Sequence, residues 1–210
     1  MKRKPSRPAQ PPPAPSDTDP RGPSQLRIIG GRFRGRKLLY SGRFETRPMK
    51  ERVREAIFNL LGPAVAGKHA IDLFAGTGVL GLEAMSRGAV SATLIERHVP
   101  TAQVIRQNVT YLDLEETVEV TTASAFVWAR REARQKQDRP WVVFCSPPYD
   151  FYVGDQENML ALVQQLLELA PAGSLFAVES DLRFDFGVLP QAESWDVRDY
   201  PPARVGILRK

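Results

Sequence analysis

From about residue 68 to residue 179, short apolar runs alternate with amphipathic stretches, and few residues separate them. Runs near 69–74, 91–95, 117–122, 141–145 and 174–179 have the length and apolar content of buried strands. Stretches near 79–87, 99–112, 124–136 and 156–170 have helical length and spacing. Regular strand–helix alternation with short connections points to a parallel sheet with helices on both faces. Two further strand-like runs, about 194–199 and 204–209, flank Pro201-Pro202. A tight connection there makes that pair an antiparallel edge. The chain of 210 residues is long enough for one sizeable core. The fold class is α/β.

Within this pattern, residues 71–81 read Ile-Asp-Leu-Phe-Ala-Gly-Thr-Gly-Val-Leu-Gly. A strand ends, a glycine turn follows and a helix begins. Gly76, Gly78 and Gly81 match the G-x-G-x-x-G spacing, which serves a tight turn, a close backbone approach to a ligand, and close helix–strand packing. Glu96 follows Gly76 by 20 residues, at the end of the next strand, where a carboxylate accepts both hydroxyls of a ribose. A nucleoside-containing cofactor fits this pattern. A dinucleotide sets its pyrophosphate on the helix N-terminus. S-adenosylmethionine has no phosphate but carries a sulfonium and an ammonium. Asp72, four residues before Gly76, is placed to favour such cations and tilts the choice toward S-adenosylmethionine.

A second motif tilts it further. The run Trp141-Val-Val-Phe-Cys145 stops at Ser146-Pro147-Pro148-Tyr149, where two prolines forbid further helix or central strand. The turn presents a small hydroxyl, a backbone carbonyl and an aromatic ring at the carboxyl end of a strand, where ligands bind in open α/β sheets. This set suits a flat base bearing an exocyclic amine. The ring stacks on Tyr149, and the amine donates to the Ser146 hydroxyl and the Pro147 carbonyl. Phe151 and Tyr152 follow, with base-pocket and core roles both open. Hydride transfer has no evident use for such a turn.

Charge is unevenly distributed. Residues 1–54 hold 15 Lys/Arg against 4 Asp/Glu, whereas residues 55–210 hold 14 against 20. A strongly basic beginning on a mildly acidic remainder points to a polyanionic partner met by the N-terminal segment. Residues 1–24 contain 8 of the 18 prolines and almost no large apolar side chain, so they are expected to form a disordered basic tail. Residues 26–39 alternate apolar and basic positions around glycines, which predicts a small β-hairpin with one cationic face. Residues 49–61 place Met49, Val53, Ala56, Ile57, Leu60 and Leu61 on one helical stripe, closed by Gly62-Pro63. No run approaches the ~20 apolar residues of a membrane span. The single cysteine, Cys145, is expected to be a small buried hydrophobe, in keeping with a reducing cytoplasm. His69 and His98 lack metal-ligand spacing, and no metal site is expected.

Taken together, Asp72-Leu-Phe-Ala-Gly-Thr-Gly78, Glu96 and Ser146-Pro-Pro-Tyr149 resemble motifs I, II and IV of class I methyltransferases that modify exocyclic amines. Arg27-Ile-Ile-Gly-Gly-Arg-Phe-Arg-Gly-Arg-Lys37 and Arg47-Pro-Met-Lys-Glu-Arg-Val-Arg-Glu-Ala-Ile-Phe-Asn59 narrow the resemblance to the RsmD family, bacterial small-subunit ribosomal RNA guanine-N2 methyltransferases. The likeness spans roughly residues 26–210. It implies a seven-stranded, mostly parallel Rossmann-like sheet with an antiparallel C-terminal edge, preceded by the hairpin and helix. It implies a hairpin and cofactor-covering helix over residues 25–62 and a catalytic domain over residues 63–210. It also implies methylation of one guanine in small-subunit ribosomal RNA, free or within an assembling particle, by a cytoplasmic monomer. The residues it assigns to S-adenosylmethionine are Asp72, Phe74, Ala75, Gly76, Thr77, Gly78, Glu96, Arg97, Ser124 and Ala125. The catalytic turn is Ser146, Pro147, Pro148 and Tyr149. Arg32, Arg34, Arg36, Lys37, Arg43 and Arg47 are expected to meet RNA phosphates.

Three positions depart from the family pattern. Ser146 stands where Asp or Asn is usual, and a hydroxyl is a weaker acceptor than a carboxylate. Serine occurs at this position in enzymes acting on cytosine N4. Met49-Lys50-Glu51 replaces Thr-Thr-Asp, and Ser124 replaces an acidic or amide residue beside the adenine. Methylation of another nucleic-acid amine, or a catalytically weak assembly factor, are the alternatives these departures raise.

Overall fold

The apolar runs pair into one seven-stranded sheet in the computed structural model, which describes residues 26–40, 49–136 and 138–210. The expected tail over residues 1–24 lies outside the described residues, as do Arg43 and Arg47. In chain order the strands are β1 (His69–Asp72), β2 (Ser91–Ile95), β3 (Val118–Thr121), β4 (Trp141–Cys145), β5 (Leu175–Asp181), β6 (Asp196–Tyr200) and β7 (Ala203–Arg209). Their spatial order is β3-β2-β1-β4-β5-β7-β6. The first five are parallel. The last two form a hairpin about Pro201-Pro202, and β7 runs antiparallel to β5.

Side chains alternate across each strand, so each face of the sheet has its own core. Ala70, Leu94, Phe144 and Ala177 face α1 (Glu51–Leu61), α2 (Val79–Ser86) and α3 (Val99–Tyr111). Ile71, Ile95, Val143 and Val178 face α4 (Ala125–Arg131) and α6 (Gln156–Leu169). The Phe58 ring of α1 meets Phe144 of β4 with centroids 5.5 Å apart. Both rings are almost fully buried, and truncating either to alanine costs about 3–5 kcal/mol.

The chain reverses direction in the sheet between β1 and β4: β2 and β3 lie outward from β1, and β5 outward from β4. A crevice opens at the carboxyl ends of two strands at such a point. The register aligns Asp72 with Phe144 and Cys145 with Val178. The Ser146 turn and Glu179 therefore stand abreast on the rim, beside the end of β1. By parity, Asp72, Ser146 and Glu179 all belong to the face covered by α1–α3.

Two local expectations are corrected, and the small hairpin forms in a minimal version. Over residues 26–38, Leu38 N donates to the Leu26 carbonyl (2.8 Å) and Ile28 N to the Arg36 carbonyl (3.0 Å) across the two arms. A single bridge joins Arg27 to Lys37, and the tip is a 3-10 turn, Gly31–Phe33. The amides pointing away from this narrow loop are taken by side chains of α2 and α3. Ile29 N donates to Glu83 Oε2 (2.8 Å), Phe33 N to Ser86 Oγ (2.9 Å) and Leu39 N to Asn108 Oδ1 (2.7 Å). The single helix expected over 124–136 stops at Arg131 and tightens into a 3-10 turn, Ala133–Lys136. That turn brings the Lys136 carbonyl to the Trp141 indole N–H, 2.7 Å away. A short helix, α5 (Phe151–Gly154), follows directly on the Pro-Pro turn where none was expected.

Residue Arg54 of α1 is buried with Glu83 of α2. Its guanidinium donates to the Arg27 carbonyl (2.7 Å), while Glu83 also receives Arg87 Nε at 2.8 Å. Burial lowers the Arg54 pKa, opposed by the Glu83 charge. This buried group ties the N-terminal segment to α2.

Candidate active site

The glycine turn after β1 is built from short-range backbone geometry. Gly76 and Gly78 both have left-handed φ angles, +52° and +74°, and the Gly78 amide closes the turn on the Ala75 carbonyl at 2.6 Å. Gly81 is required by space: a Cβ there would stand 2.9 Å from Leu94 Cγ. The absent side chain lets α2 lie against β2 and brings the Gly81 amide to Asp72 Oδ2, 3.1 Å away.

The second carboxylate oxygen, Asp72 Oδ1, is buried with no hydrogen-bond partner among the described residues. Burial pushes the Asp72 carboxyl up to about 7, with the charge of Glu96 adding to the rise and the Gly81 amide opposing it. A bare buried carboxylate oxygen is costly, and a cation bound beside it would relieve the cost. Glu96, at the end of β2, accepts from the Gly76 amide (2.9 Å) and the His98 amide (2.7 Å). These two bonds aim its carboxylate across the turn and leave lone pairs for hydroxyl donors.

Beside the turn lies a cluster of half-buried rings. Phe74 meets Phe126 edge-on at 6.2 Å and Phe151 at 5.9 Å. The exposed Arg97 guanidinium lies 5.8 Å from the Phe151 centroid. Ser124 is the N-cap residue of α4 and makes no side-chain capping bond, and Ala125 beside it is buried, as are Ala75 and Thr77. Phe151 thus joins the cluster on the site side. Tyr152 is a core residue, 4.4 Å from the Phe184 ring and hydrogen-bonded to Cys145. Cys145 itself is buried, and burial pushes its thiol up to about 12.

At the end of β4, the turn carries Pro147 buried and Pro148 exposed. The Pro148 and Tyr149 carbonyls accept from the Phe151 and Tyr152 amides, which starts α5. The Ser146 hydroxyl donates to Glu179 Oε2, and the Tyr149 phenol donates to Glu179 Oε1. Glu179 is absent from the residues that the sequence singles out. It lies in the apolar run of β5, and its only signal is an acidic residue near the carboxyl end of a buried strand. Burial raises its pKa, while the hydrogen bonds from Ser146 and Tyr149 lower it.

The structure thus gathers Asp72, Phe74, Gly76, Gly78, Glu96, Arg97, Ser124, Ala125 and the Ser146–Tyr149 turn around the carboxyl rim. Arg32, Arg34, Arg36 and Lys37 lie apart from it, exposed on the N-terminal loop. Arg32 stacks its guanidinium 4.5 Å from the Phe33 centroid. His69 is buried with its ring nitrogens 2.8 Å from Ser91 Oγ and 3.1 Å from Thr93 Oγ1, and burial pushes its pKa down to about 4. Among the described residues no group of three His, Cys, Asp or Glu is arranged to hold a metal, and no helix is long and apolar enough to cross a membrane.

Known proteins share this architecture. The family described as Conserved hypothetical protein 95 matches residues 26–198. Ribosomal RNA small subunit methyltransferase D of Escherichia coli K12 is 35 % identical over 169 residues, 80 % of this chain and 81 % of that protein. The solved structure of yhhF from Escherichia coli superposes with a TM-score of 0.72 at 30 % identity, covering 89 % of this chain and 98 % of that one. An RNA methyltransferase from Salinibacter ruber, solved in complex with S-adenosyl-L-homocysteine, shares the fold at 16 % identity with a TM-score of 0.56, over 78 % of this chain and 93 % of that one. With the family match running from residue 26 to residue 198 and a relative 35 % identical across four-fifths of both chains, this chain belongs to the RsmD family of ribosomal RNA small subunit methyltransferases.

Proposed function

We propose that the protein transfers a methyl group from S-adenosylmethionine to the exocyclic N2 amine of a guanine in small-subunit ribosomal RNA. The observation that carries this reading is the pairing of a buried, unpartnered Asp72 oxygen with a Ser-Pro-Pro-Tyr turn at the ends of adjacent strands. The first fits a cationic cofactor and the second fits a flat amine-bearing base.

S-adenosylmethionine supplies a methyl group on a positively charged sulfur. In this reading Asp72 Oδ1 takes the cofactor's ammonium and Glu96 takes the ribose hydroxyls. The Phe74, Phe126 and Phe151 rings, with Ser124 and Ala125, offer apolar surface to the adenine. The exposed Arg97 closes its outer side. Helix α1 covers the same face of the sheet from the N-terminal side.

The target guanine is extruded from its RNA stack, since its amine is out of reach inside a helix. Tyr149 stacks on the base and fixes its plane. The Ser146 hydroxyl oxygen and the Pro147 carbonyl accept the two amine protons, because Pro148 and Tyr149 direct their carbonyls into α5. These bonds turn the nitrogen lone pair out of conjugation and toward the methyl group. Holding donor and acceptor in line supplies much of the acceleration. Arg32, Arg34, Arg36 and Lys37 contact phosphates, which set position and affinity without reading sequence.

Labelled S-adenosylmethionine, offered with small-subunit particles lacking the family's modification, tests this. The expected product is N2-methylguanosine on nucleoside analysis of the RNA. Methylated cytosine or adenine would move the assignment to another amine. No label, with S-adenosylhomocysteine binding intact, would favour an assembly role without catalysis.

A further inference from the structure

Serine at position 146 poses a chemical problem for the proposed reaction. Drawing the amine lone pair toward a methyl group needs a strong acceptor for the amine protons, and a neutral hydroxyl is a weak one. The structure supplies the missing charge from a different strand. Cys145 pairs with Val178, so Glu179 of β5 stands beside Ser146, the residue that follows β4, with both side chains on the same face of the sheet. Ser146 donates its one hydroxyl proton to Glu179 Oε2. The Ser146 oxygen then presents only lone pairs to whatever enters the turn, and the carboxylate behind it makes that oxygen more basic.

Three further observations set this carboxylate apart from a structural one. Glu179 is 6 % exposed, and among the described residues no cation pairs with it. Its second oxygen is taken by the Tyr149 phenol, so one carboxylate aligns both side chains that frame the target base. A buried carboxylate held only by two hydroxyls is costly to maintain, and a neutral amide of the same shape would hold both hydroxyls more cheaply. What the amide would lack is the charge.

We propose that Glu179 is the anionic acceptor of this site, a positioning residue that acts on the target amine through Ser146 Oγ. The proposal rests on the amine-methylation reading above and names the group that lets serine serve in the turn. As the N2 lone pair forms the bond to the methyl carbon, the carbon–sulfur bond breaks and its electron pair stays on sulfur. One N2 proton passes to Ser146 Oγ while the Ser146 hydroxyl proton passes to Glu179 Oε2. The Glu179 carboxylic acid then returns the proton to water, leaving a neutral methylated amine, a neutral thioether and the starting carboxylate.

The test moves the charge between strands in the full-length protein. Glu179→Gln keeps the size and an acceptor for Ser146 but removes the charge. It should lower kcat on unmodified small-subunit particles by about 10²-fold, the low end for an acid–base contribution. KM for the particles and the affinity for S-adenosylhomocysteine, measured by calorimetry, should change by less than about threefold, since in this reading Glu179 acts only through Ser146 and Tyr149. The double variant Ser146→Asp/Glu179→Gln puts a carboxylate directly in the turn, where the introduced side-chain amide on β5 can donate to it. It should recover at least about tenfold of the lost kcat. Wild-type kcat in Glu179→Gln would overturn the proposal. So would a double variant no faster than Glu179→Gln, because relocating the charge would then have restored nothing. If the wild-type protein methylates no RNA amine, the reading of function falls and this inference with it. If the wild type is active and the charge is dispensable, only this inference falls.

Discussion

At the end of β1, Asp72 holds one oxygen against the Gly81 amide and leaves the other buried, with no partner among the described residues. At the rim of β5, Glu179 has both oxygens engaged by hydroxyls from the neighbouring turn. Both are buried carboxylates near the carboxyl end of a strand, on the same face of one sheet. The first is incomplete until something positive arrives. The second is assembled from the chain alone before any ligand enters. Under the proposed function, the half built on Asp72 is poised to respond to its ligand, and the half built on Glu179 to impose a geometry on its ligand.

Breaking the first half should have the largest effect. Replacing Asp72 with Ala removes a charged acceptor that contributes about 2–3 kcal/mol when paired. Affinity for S-adenosylhomocysteine should fall by about 10²-fold in calorimetry, while particle binding in the absence of cofactor stays unchanged. A fall confined to particle binding would show that Asp72 does not serve the cofactor.

Charge reversal at both Arg34 and Arg36 tests whether RNA affinity is separable from either half. Retention of particles at low salt should weaken by roughly 10–50-fold, and the dependence on salt should become shallower. Cofactor affinity should not move. Equal retention of variant and wild type would remove these residues from the RNA contact.

Proton linkage sharpens the comparison. Asp72 is pushed up to about 7, so in the free protein it is largely neutral at pH 6 and largely charged at pH 8. Cofactor affinity should therefore fall by about tenfold as pH drops from 8 to 6, because the carboxyl must lose a proton to take the ammonium. The same raised pKa stabilises the free fold at acid pH, a contribution present below about pH 4 and lost as pH rises through about 7. Thermal protection by S-adenosylhomocysteine should accordingly be greater at pH 8 than at pH 6. Asp72→Asn should flatten both profiles.

The smallest expected effect comes from Tyr149→Phe. It keeps the stacking ring and removes one of the two hydrogen bonds to Glu179, while the charge and the bond from Ser146 stay in place. The kcat should drop about fivefold with KM for particles little changed. A loss as large as that of Glu179→Gln would mean that the phenol, and not the charge, organises the turn.

The same contrast explains what is legible in the residues alone. Asp72, the glycine turn and Gly81 lie within ten residues of one another, and both the Asp72–Gly81 bond and the Gly78–Ala75 bond close within that stretch. A local motif therefore carries the geometry, and even the reason for Gly81, contact with Leu94, follows from its spacing. The Ser146–Tyr149 turn is legible for the same reason, since two prolines fix it wherever they occur. Glu179 is not, because its role depends on the register between β4 and β5, and no local pattern encodes register at a sequence separation of 33. In the N-terminal loop, alternation predicts a hairpin, and it forms only as a minimal one with a single antiparallel bridge. Alternation reports which residues face inward, but not whether the outward amides find a strand or, as here, the side chains of Glu83, Ser86 and Asn108.

Those side chains have a consequence for how such a protein can change over time. Helix α2 begins at the glycine turn and presents Gly81 to Leu94, then Glu83 and Ser86 to the N-terminal loop two turns or less further on. A residue inserted between Gly81 and Glu83 would rotate one set by about 100° relative to the other. Either the cofactor turn or the basic loop would then lose its seat. The eight residues of α2 thus act as a fixed gauge between the glycine turn and the basic loop, the parts proposed to hold a small molecule and a large one. An insertion or deletion inside α2 would displace one of these seats against the other, whereas a substitution on the exposed loop would leave both in place.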